Sequence, residues 1–189
     1  NNGHGIYVNG DNNNIKHNKF LNGDGLVFGV QLESGYENEV KNNTFSNYYK
    51  GVRSDDNKEK IINNFFSKCD YGIQIGYAVN RTIILKNTFI NNSKAIEINS
   101  AYNNDFYYNN FINNSINVKL TKLNPEDNCD NTWDDGAMGN YWDDYDGIDA
   151  DGDGIGDTPY IVSENESNQD NYPLMEPYTP KPDTEPPLV

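Results

Sequence analysis

The sequence is poor in the side chains that bind soft transition metals. Its 189 residues include only two histidines, two cysteines and two methionines. They are His4, His17, Cys69, Cys129, Met138 and Met175. A copper site needs clustered imidazole, thiolate or thioether ligands, whereas these residues are spread along the whole sequence. The sequence therefore argues against a site for a metal of this kind.

Positive charge and long hydrophobic runs are also scarce. Lys and Arg number 14 against 29 Asp and Glu, which gives a formal net charge of −15. Such a charge repels phosphate backbones and anionic lipid surfaces. Only 35% of the residues are hydrophobic, and they form no run long enough to cross a bilayer. We therefore expect no nucleic-acid partner and no direct membrane insertion.

The ends of the sequence resemble those of a segment from a longer protein. No basic start, apolar run or cleavage site is present at residue 1, and residues 178–189 form a proline-rich stretch. Such stretches often link extracellular modules. Five Asn-x-Ser/Thr sequons begin at Asn42, Asn80, Asn91, Asn113 and Asn165. Together these features predict an extracellular or cell-surface location.

Asparagine is abundant, with 34 residues, and it recurs in a repeat. The pattern Asn-x-Phe ends at Phe20, Phe45, Phe66, Phe89 and Phe111, with Asn131-Thr-Trp133 as an arguable further copy. Five positions before each Phe stands an apolar residue, in the order Ile15, Val40, Ile61, Ile84 and Phe106. Seven positions after each Phe stands another, in the order Val27, Val52, Ile73, Ile96 and Val118. A period of roughly 20 to 26 residues indicates a repeat architecture.

A repeat of this length with three short apolar segments fits one coil of a parallel β-helix. Successive coils stack about 4.8 Å apart, so equivalent side chains form columns along the axis. We predict an all-β parallel β-helix of about five to six coils, with the Phe, Ile and Val columns inside. The Asn of each Asn-x-Phe is expected at an inward-facing αL turn, bonded to its equivalents in neighbouring coils.

The outward face beside the Val/Ile column is a candidate ligand face. Side chains alternate along a strand, so the residue after each column member points away from the core. These residues are Phe28, Arg53, Gln74, Glu97 and Lys119, preceded by Tyr7. The mixture of aromatic, amide and charged groups suits carbohydrate binding. An ordinary solvated face has a similar composition.

After residue 122 the repeat fades and an acidic segment begins. Asp149, Asp151, Asp153 and Asp157 occupy positions 1, 3, 5 and 9 of a loop, and the carbonyl of Ile155 occupies position 7. This spacing predicts a Ca²⁺ loop, although position 12 lacks the bidentate Glu of an EF-hand. Further ligands could come from solvent or from Asp143, Asp144 or Asp146. We expect Ca²⁺ to cross-link a C-terminal cap.

Three regions follow from these patterns. Residues 1–122 are predicted to form the β-helix repeats, residues 123–177 the cap and residues 178–189 a linker. Cys69 and Cys129 are separated by about three coils, roughly 14 Å, which is beyond the reach of a disulfide. We therefore predict two free thiols.

The Asn-x-Phe repeats resemble those of NosD-like right-handed parallel β-helix proteins, a group related to carbohydrate-binding and sugar-hydrolase β-helix domains. The segments Gly139–Tyr160 and Asn168–Met175 are similar to a C-terminal signature of archaeal surface and secreted proteins of this type. The resemblance implies a right-handed helix and an extracytoplasmic location, often within a multidomain surface protein. Named members of the group are described as periplasmic copper-binding accessory proteins.

We predict a non-catalytic extracellular or cell-surface module with a structural or adhesive role. Surface glycans or other cell-envelope proteins are the expected partners, and an uncapped first coil would permit end-to-end association. One alternative is a polysaccharide lyase or glycosidase using Asp55, Asp56 and Glu97 with Arg53 and Lys119. The other alternative is a periplasmic metal-binding accessory protein.

Overall fold

The computed structural model describes residues 5–23, 25–163 and 168–180. Every helix or strand element in these ranges is a β-strand, which confirms the all-β prediction. The described residues also contain no helix with the length and hydrophobicity needed to cross a bilayer. The short strands follow from the sequence, since most apolar segments have an Asn, Gly, Asp or Ser residue on at least one side, and these residues favour turns.

The strands are numbered β1 to β19 along the chain. Their bounds are β1 (Ile6–Val8), β2 (Asn14–Lys16), β3 (Lys19–Leu21), β4 (Phe28–Leu32), β5 (Glu39–Lys41), β6 (Thr44–Ser46), β7 (Lys50–Ser54), β8 (Lys60–Ile62), β9 (Phe65–Ser67), β10 (Tyr71–Ile75), β11 (Ile83–Leu85), β12 (Thr88–Ile90), β13 (Lys94–Asn99), β14 (Asp105–Tyr107), β15 (Asn110–Ile112), β16 (Ile116–Thr121), β17 (Tyr141–Trp142), β18 (Tyr160–Ile161) and β19 (Gln169–Asp170).

Three parallel sheets run along the axis. Sheet 1 has the order β1-β4-β7-β10-β13-β16, sheet 2 the order β2-β5-β8-β11-β14 and sheet 3 the order β3-β6-β9-β12-β15-β17. Each strand pairs with its equivalent in the next coil, which confirms the parallel β-helix. Pairing of β17 with β15 also carries sheet 3 past the predicted boundary at residue 122. The short strands β18 and β19 pair antiparallel.

Stacked aromatic rings fill the interior beside sheet 3. The rings of Phe20, Phe45, Phe66, Phe89 and Phe111 stack with centroid distances of 4.7 to 5.2 Å. The next member of the stack is Trp142, 4.2 Å from Phe111. Trp133 stacks instead on Phe106, at 4.5 Å, in the column beside sheet 2. The interpretation of Asn131-Thr-Trp133 as a further Asn-x-Phe copy is therefore wrong, and Asn140-Tyr141-Trp142 takes that position.

The predicted asparagine ladder is present at the turn between sheets 2 and 3. It runs through Asn18, Asn43, Asn64, Asn87, Asn109 and Asn140, and Asp170 accepts the last hydrogen bonds. The αL conformation, however, belongs to the residue before the ladder position. Asn42 and Asn63, for example, have φ of 57° and 54°. That residue turns the chain, and the following Asn then directs its amide inward.

The C-terminal segment folds back onto the coils. Asp170 accepts hydrogen bonds from the backbone and side chain of Asn140 and from the indole of Trp142. Tyr178 exchanges two hydrogen bonds with the side chain of Asn110 and stacks on Tyr108. The predicted linker thus begins with a residue that packs on the β-helix, while its residues 181–189 lie outside the described part of the chain.

Candidate ligand-binding face

The outward surface of sheet 1 contains a column of polar side chains, here called the polar ladder. Its members in register are Tyr7, Gln31, Arg53, Gln74, Glu97 and Lys119. All but one were expected from the sequence. The exception is Gln31, which takes the position that was expected for Phe28; Phe28 pairs instead with Lys50. The segment between Phe20 and the strand is longer in this coil, so Val30, and not Val27, takes the interior position equivalent to Val52.

Hydrogen bonds connect the middle of the polar ladder. Arg53 donates through Nη1 to Oε1 of Gln74 at 2.9 Å, and Nε2 of Gln74 donates to Glu97. Arg53 also forms a bidentate ion pair with Asp55, which lies next to the ladder. Gln74 and Glu97 are only 9% and 8% exposed, although they point outward. The ladder is therefore a fixed set of oriented polar groups, and not a row of independent solvated side chains.

A second column lies at the start of the same strands, and we call it the aromatic–lysine column. Its members in register are Phe28, Lys50, Tyr71, Lys94 and Ile116. Tyr49 lies beside it, with its ring centroid 5.4 Å from that of Tyr71. The sequence analysis missed this column. Its signal was available, because each member stands two positions before the interior Val or Ile of its strand.

Lys50 is the central residue of the aromatic–lysine column. Its Nζ lies 5.0 Å from the ring centroids of Phe28 and Tyr49, and 5.6 Å from that of Tyr71. Lysine is rarely this buried, yet Lys50 is only 6% exposed. Burial lowers the pKa of its ammonium group. The three rings stabilise the positive charge through their faces.

Two further exposed aromatic residues close to sheet 1 are not aligned with these columns. Tyr36 and Tyr77 are 47% and 58% exposed. Both follow sheet 1 strands, and Tyr36 forms an isolated bridge with Asn57. The side chain of Tyr7, at the first coil, bonds to Glu33, which raises the pKa of the phenol. The ligand face is therefore best defined by the polar ladder and the aromatic–lysine column.

The carboxylates considered for catalysis have local partners. Asp55 pairs with Arg53, and Glu97 accepts a hydrogen bond from Gln74. Asp56 is buried and accepts hydrogen bonds from backbone N–H groups, while desolvation raises its pKa. These contacts place the three carboxylates in the surface and turn structure, and Oδ2 of Asp56 is buried without a hydrogen-bond partner among the described residues.

The acidic loop places Asp149, Asp151 and Asp153 together, with one carboxylate oxygen from each within 4.8 Å of the others. These carboxylates also accept hydrogen bonds from backbone N–H groups of the same loop. Asp149 accepts hydrogen bonds from the backbone N–H groups of Gly152, Asp153 and Gly154, and these bonds lower its pKa. Asp153 accepts from the N–H of Ile155.

The other predicted ligands of this loop also have contacts within the protein. Asp157 accepts a hydrogen bond from the backbone of Ala150, and Ile155 forms an antiparallel bridge with Leu174. Asp144 bonds the side chains of Asn117 and Tyr160, while Asp143 accepts a bond from the backbone of Asn113. The latter two aspartates thus tie the cap to the last full coil.

The soft metal-binding side chains do not converge in the described residues. Cys69 and Cys129 are both free, as predicted, and both are buried. Burial raises the pKa of Cys69 to about 11. His17 is exposed at a turn, and His4 lies outside the described residues. Within the described ranges, the only group of three or more His, Cys, Asp or Glu side chains close enough to share an ion is that of Asp149, Asp151 and Asp153.

Comparison with known proteins gives one family match. Residues 1–147 match the family model described as periplasmic copper-binding protein (NosD). No curated protein matches the chain.

The match corrects the predicted cofactor. The prediction of Ca²⁺ is wrong, because the matching family is described as copper-binding and nothing in the match points to calcium. The structure gives a physical reason for the misleading signal: the Asp and Gly spacing also builds a turn in which carboxylates accept backbone N–H groups. The sequence spacing does not distinguish the two uses.

Copper does not fit the residues that the structure describes. Cu(I) and Cu(II) sites use imidazole, thiolate or thioether ligands, whereas the grouped side chains here are three carboxylates. The thiols of Cys69 and Cys129 lie in different coils, and burial raises the pKa of both, which disfavours the thiolate form that binds metals. We therefore assign no role in this chain to a copper ion.

The family match and the fold agree with each other. The matched residues 1–147 include all three sheets and the complete asparagine ladder as far as Asn140. Both findings also agree with the Asn-x-Phe repeats. The chain belongs to the NosD family of parallel β-helix proteins.

Proposed function

We propose that this chain is a non-catalytic module of the cell envelope that binds glycans on the outward face of sheet 1. The observation that carries the proposal is the hydrogen-bonded polar ladder of Arg53, Gln74 and Glu97 beside the aromatic–lysine column. Carbohydrate recognition needs oriented amide, guanidinium and carboxylate groups next to aromatic surface. Sheet 1 supplies both on one rigid surface.

Several features support this choice of face. The inward-facing side chains of sheet 1 belong to the hydrophobic core, whereas its outward Arg53, Gln74 and Glu97 lie outside that core. A β-helix also presents equivalent groups at intervals of one coil, about 4.8 Å, which suits a repeating polymer. The family is described as periplasmic, which agrees with a location where glycans are met.

Affinity gel electrophoresis tests the proposal. The protein is run through gels containing either neutral or acidic polysaccharides, and retardation reports binding. We expect retardation of the native chain and its loss in Gln74→Ala. Ser67→Ala is the matched control, because Ser67 is a half-buried polar residue on sheet 3 whose side chain also bonds a neighbouring coil.

Three results would each contradict a part of the proposal. Absence of retardation by every polysaccharide would refute glycan binding, and equal loss in Gln74→Ala and Ser67→Ala would refute the assignment to sheet 1. Release of new reducing ends or unsaturated sugars from a bound polysaccharide would refute the non-catalytic role. End-to-end association and binding of other envelope proteins remain predictions.

A further inference from the structure

The aromatic–lysine column carries two ammonium groups that lack a carboxylate partner. Among the described residues the ion pairs are Lys16–Glu39, Arg53–Asp55 and Lys58–Glu37, and neither Lys50 nor Lys94 forms one. Lys50 is almost fully buried, and Nζ of Lys94 lies 4.2 Å from the ring centroid of Tyr71. An ammonium group whose close contacts are aromatic rings keeps hydrogen-bond donors available for an anion.

The position of the two lysines favours a ligand that repeats along the axis. Lys50 is on β7 and Lys94 is on β13, with Tyr71 on β10 between them. Two strand spacings separate their backbones, roughly 10 Å. Tyr49 and Phe28 hold Lys50 from the side, so its ammonium has little freedom to lose on binding.

The charge distribution restricts the class of anion. Arg53, Asp55 and Glu97 are close enough to influence the pKa of Lys50, and Arg53 is already neutralised by Asp55. The whole chain carries a charge of −15, which opposes densely charged polymers such as nucleic acid. A uronic-acid oligosaccharide has hydroxyl groups for the polar ladder and no more than one carboxylate per sugar, which is a lower charge density than that of double-stranded nucleic acid. Its carboxylates would meet the two lysines.

We propose that the glycan bound by sheet 1 is acidic and contains uronic acid, with its carboxylates paired to Lys50 and Lys94. This inference rests on the proposed function and makes it more specific. Arg53, Gln74 and Glu97 then contact the sugar hydroxyls, while Phe28, Tyr49 and Tyr71 fix the lysines and provide the apolar surface of the site.

The test removes the negative charge of the glycan by esterification and the positive charge of the protein by substitution of each lysine. Binding of polygalacturonate and of its fully methyl-esterified form is measured by isothermal titration calorimetry for the native chain, Lys50→Met and Lys94→Met. A charge-assisted hydrogen bond is worth about 1.5–3 kcal/mol, so each variant should bind polygalacturonate roughly tenfold or more weakly. Neither variant should change the affinity for the ester. Lys60→Met, an exposed lysine of sheet 2, is the matched control and should change neither affinity.

The outcomes separate this inference from the proposed function. Equal affinity of the native chain for the acid and the ester would overturn the inference and leave glycan binding intact. The same loss of affinity for both polymers in the two lysine variants would also overturn it. If the native chain binds neither of these polymers and does not bind a neutral glucan, both the inference and the proposed function are overturned. Lys94 is half-buried and outside the core, so Lys94→Met tests the inference even if Lys50→Met does not fold.

Discussion

The side-chain oxygen Oδ1 of Asn64 accepts two hydrogen bonds from the same residue of the preceding coil, Asn43. The backbone nitrogen of Asn43 lies 2.9 Å and its Nδ2 3.0 Å from this oxygen. Asn64 in turn donates from Nδ2 to Asn87 and to the carbonyl of Val40. One buried amide therefore satisfies polar groups in three coils. This relationship explains why Asn, and not another polar residue, recurs at the position.

Replacement of Asn64 by Ala should destabilise the chain strongly. The change leaves the backbone N–H of Asn43 without a partner and removes one hydrogen bond to the carbonyl of Val40, both in a buried region. Each unsatisfied buried group costs about 1–3 kcal/mol, so we expect a loss of about 2–5 kcal/mol in the free energy of unfolding. Urea denaturation, monitored by far-UV circular dichroism, measures this loss. The control Asn63→Gly removes a neighbouring exposed amide but keeps the αL turn, and should cost under about 1 kcal/mol. Similar losses in both variants would contradict the ladder account.

Gly51 should not tolerate even a methyl group. A Cβ at this position would lie 2.6 Å from the carbonyl oxygen of Gly72 and 2.6 Å from Cδ1 of Phe66. Relief of such overlap requires movement of a backbone and a packed ring, which costs about 1–3 kcal/mol. The measurement is the melting temperature of Gly51→Ala. Ala95→Gly, at the equivalent position of β13, serves as the reciprocal variant and should change stability by less than about 1 kcal/mol. An unchanged melting temperature for Gly51→Ala would refute this packing.

Stability should fall as the pH rises from about 4.5 to 7 because of Glu59. Glu59 stands between Asn38 and Thr82 in a second column of hydrogen bonds between coils. Its Oε1 accepts a hydrogen bond from Asn38, while its Oε2 is buried without a partner in the described part of the chain. Desolvation raises the pKa of Glu59 from 4.5 to about 7. The folded state therefore holds a proton that the unfolded state releases, and the stabilisation present below pH 4.5 is lost by pH 7.

The variant Glu59→Gln isolates this effect. The amide keeps an oxygen acceptor for Asn38 and carries no charge at any pH. The free energy of unfolding of the variant should exceed that of the native chain by about 2–3 kcal/mol at pH 8. At pH 4 the two values should be nearly equal. Thermal unfolding at the two pH values gives the comparison. A difference that does not depend on pH would show that Glu59 is not protonated in the folded state.

The two cysteines should react only after unfolding. Cys69 and Cys129 are 2% and 1% exposed, and burial raises the pKa of both thiols. Because the thiolate is the reactive form, an aromatic disulfide reagent should label neither residue rapidly at pH 8. Addition of urea should release two equivalents. Rapid labelling of a native thiol, or fewer than two equivalents in urea, would contradict the buried free cysteines.

Most of the fold could be predicted from the sequence repeat. The Phe column, the ladder from Asn18 to Asn109 and the parallel coils all follow from side chains that recur at one spacing. The errors arise where the spacing changes. Phe28 was placed in the wrong column because its coil contains a longer turn, and Trp133 was confused with Trp142 because the last coil is also irregular.

The candidate site was predicted less completely than the fold. Strand alternation identified Arg53, Gln74 and Glu97, since outward positions follow directly from a known inward column. Lys50 was missed because a lysine in a strand normally points to water. Its burial depends on Phe28 and Tyr71 in neighbouring coils, which are 22 and 21 positions away in the sequence. For the acidic loop the sequence predicted a site that was wrong, since its spacing suits both a Ca²⁺ loop and a hydrogen-bonded turn.

The most direct test of the account is to locate the glycan on the protein. Titration of tetragalacturonate into the ¹⁵N-labelled chain should shift the backbone amide signals of Lys50, Arg53, Tyr71, Gln74 and Lys94 in two-dimensional NMR spectra. The amide signals of sheets 2 and 3 should remain unchanged. Shifts confined to sheet 1 would establish it as the binding face. Shifts concentrated in the acidic loop around Asp151 or on sheet 3, or no shifts at millimolar ligand, would contradict the account.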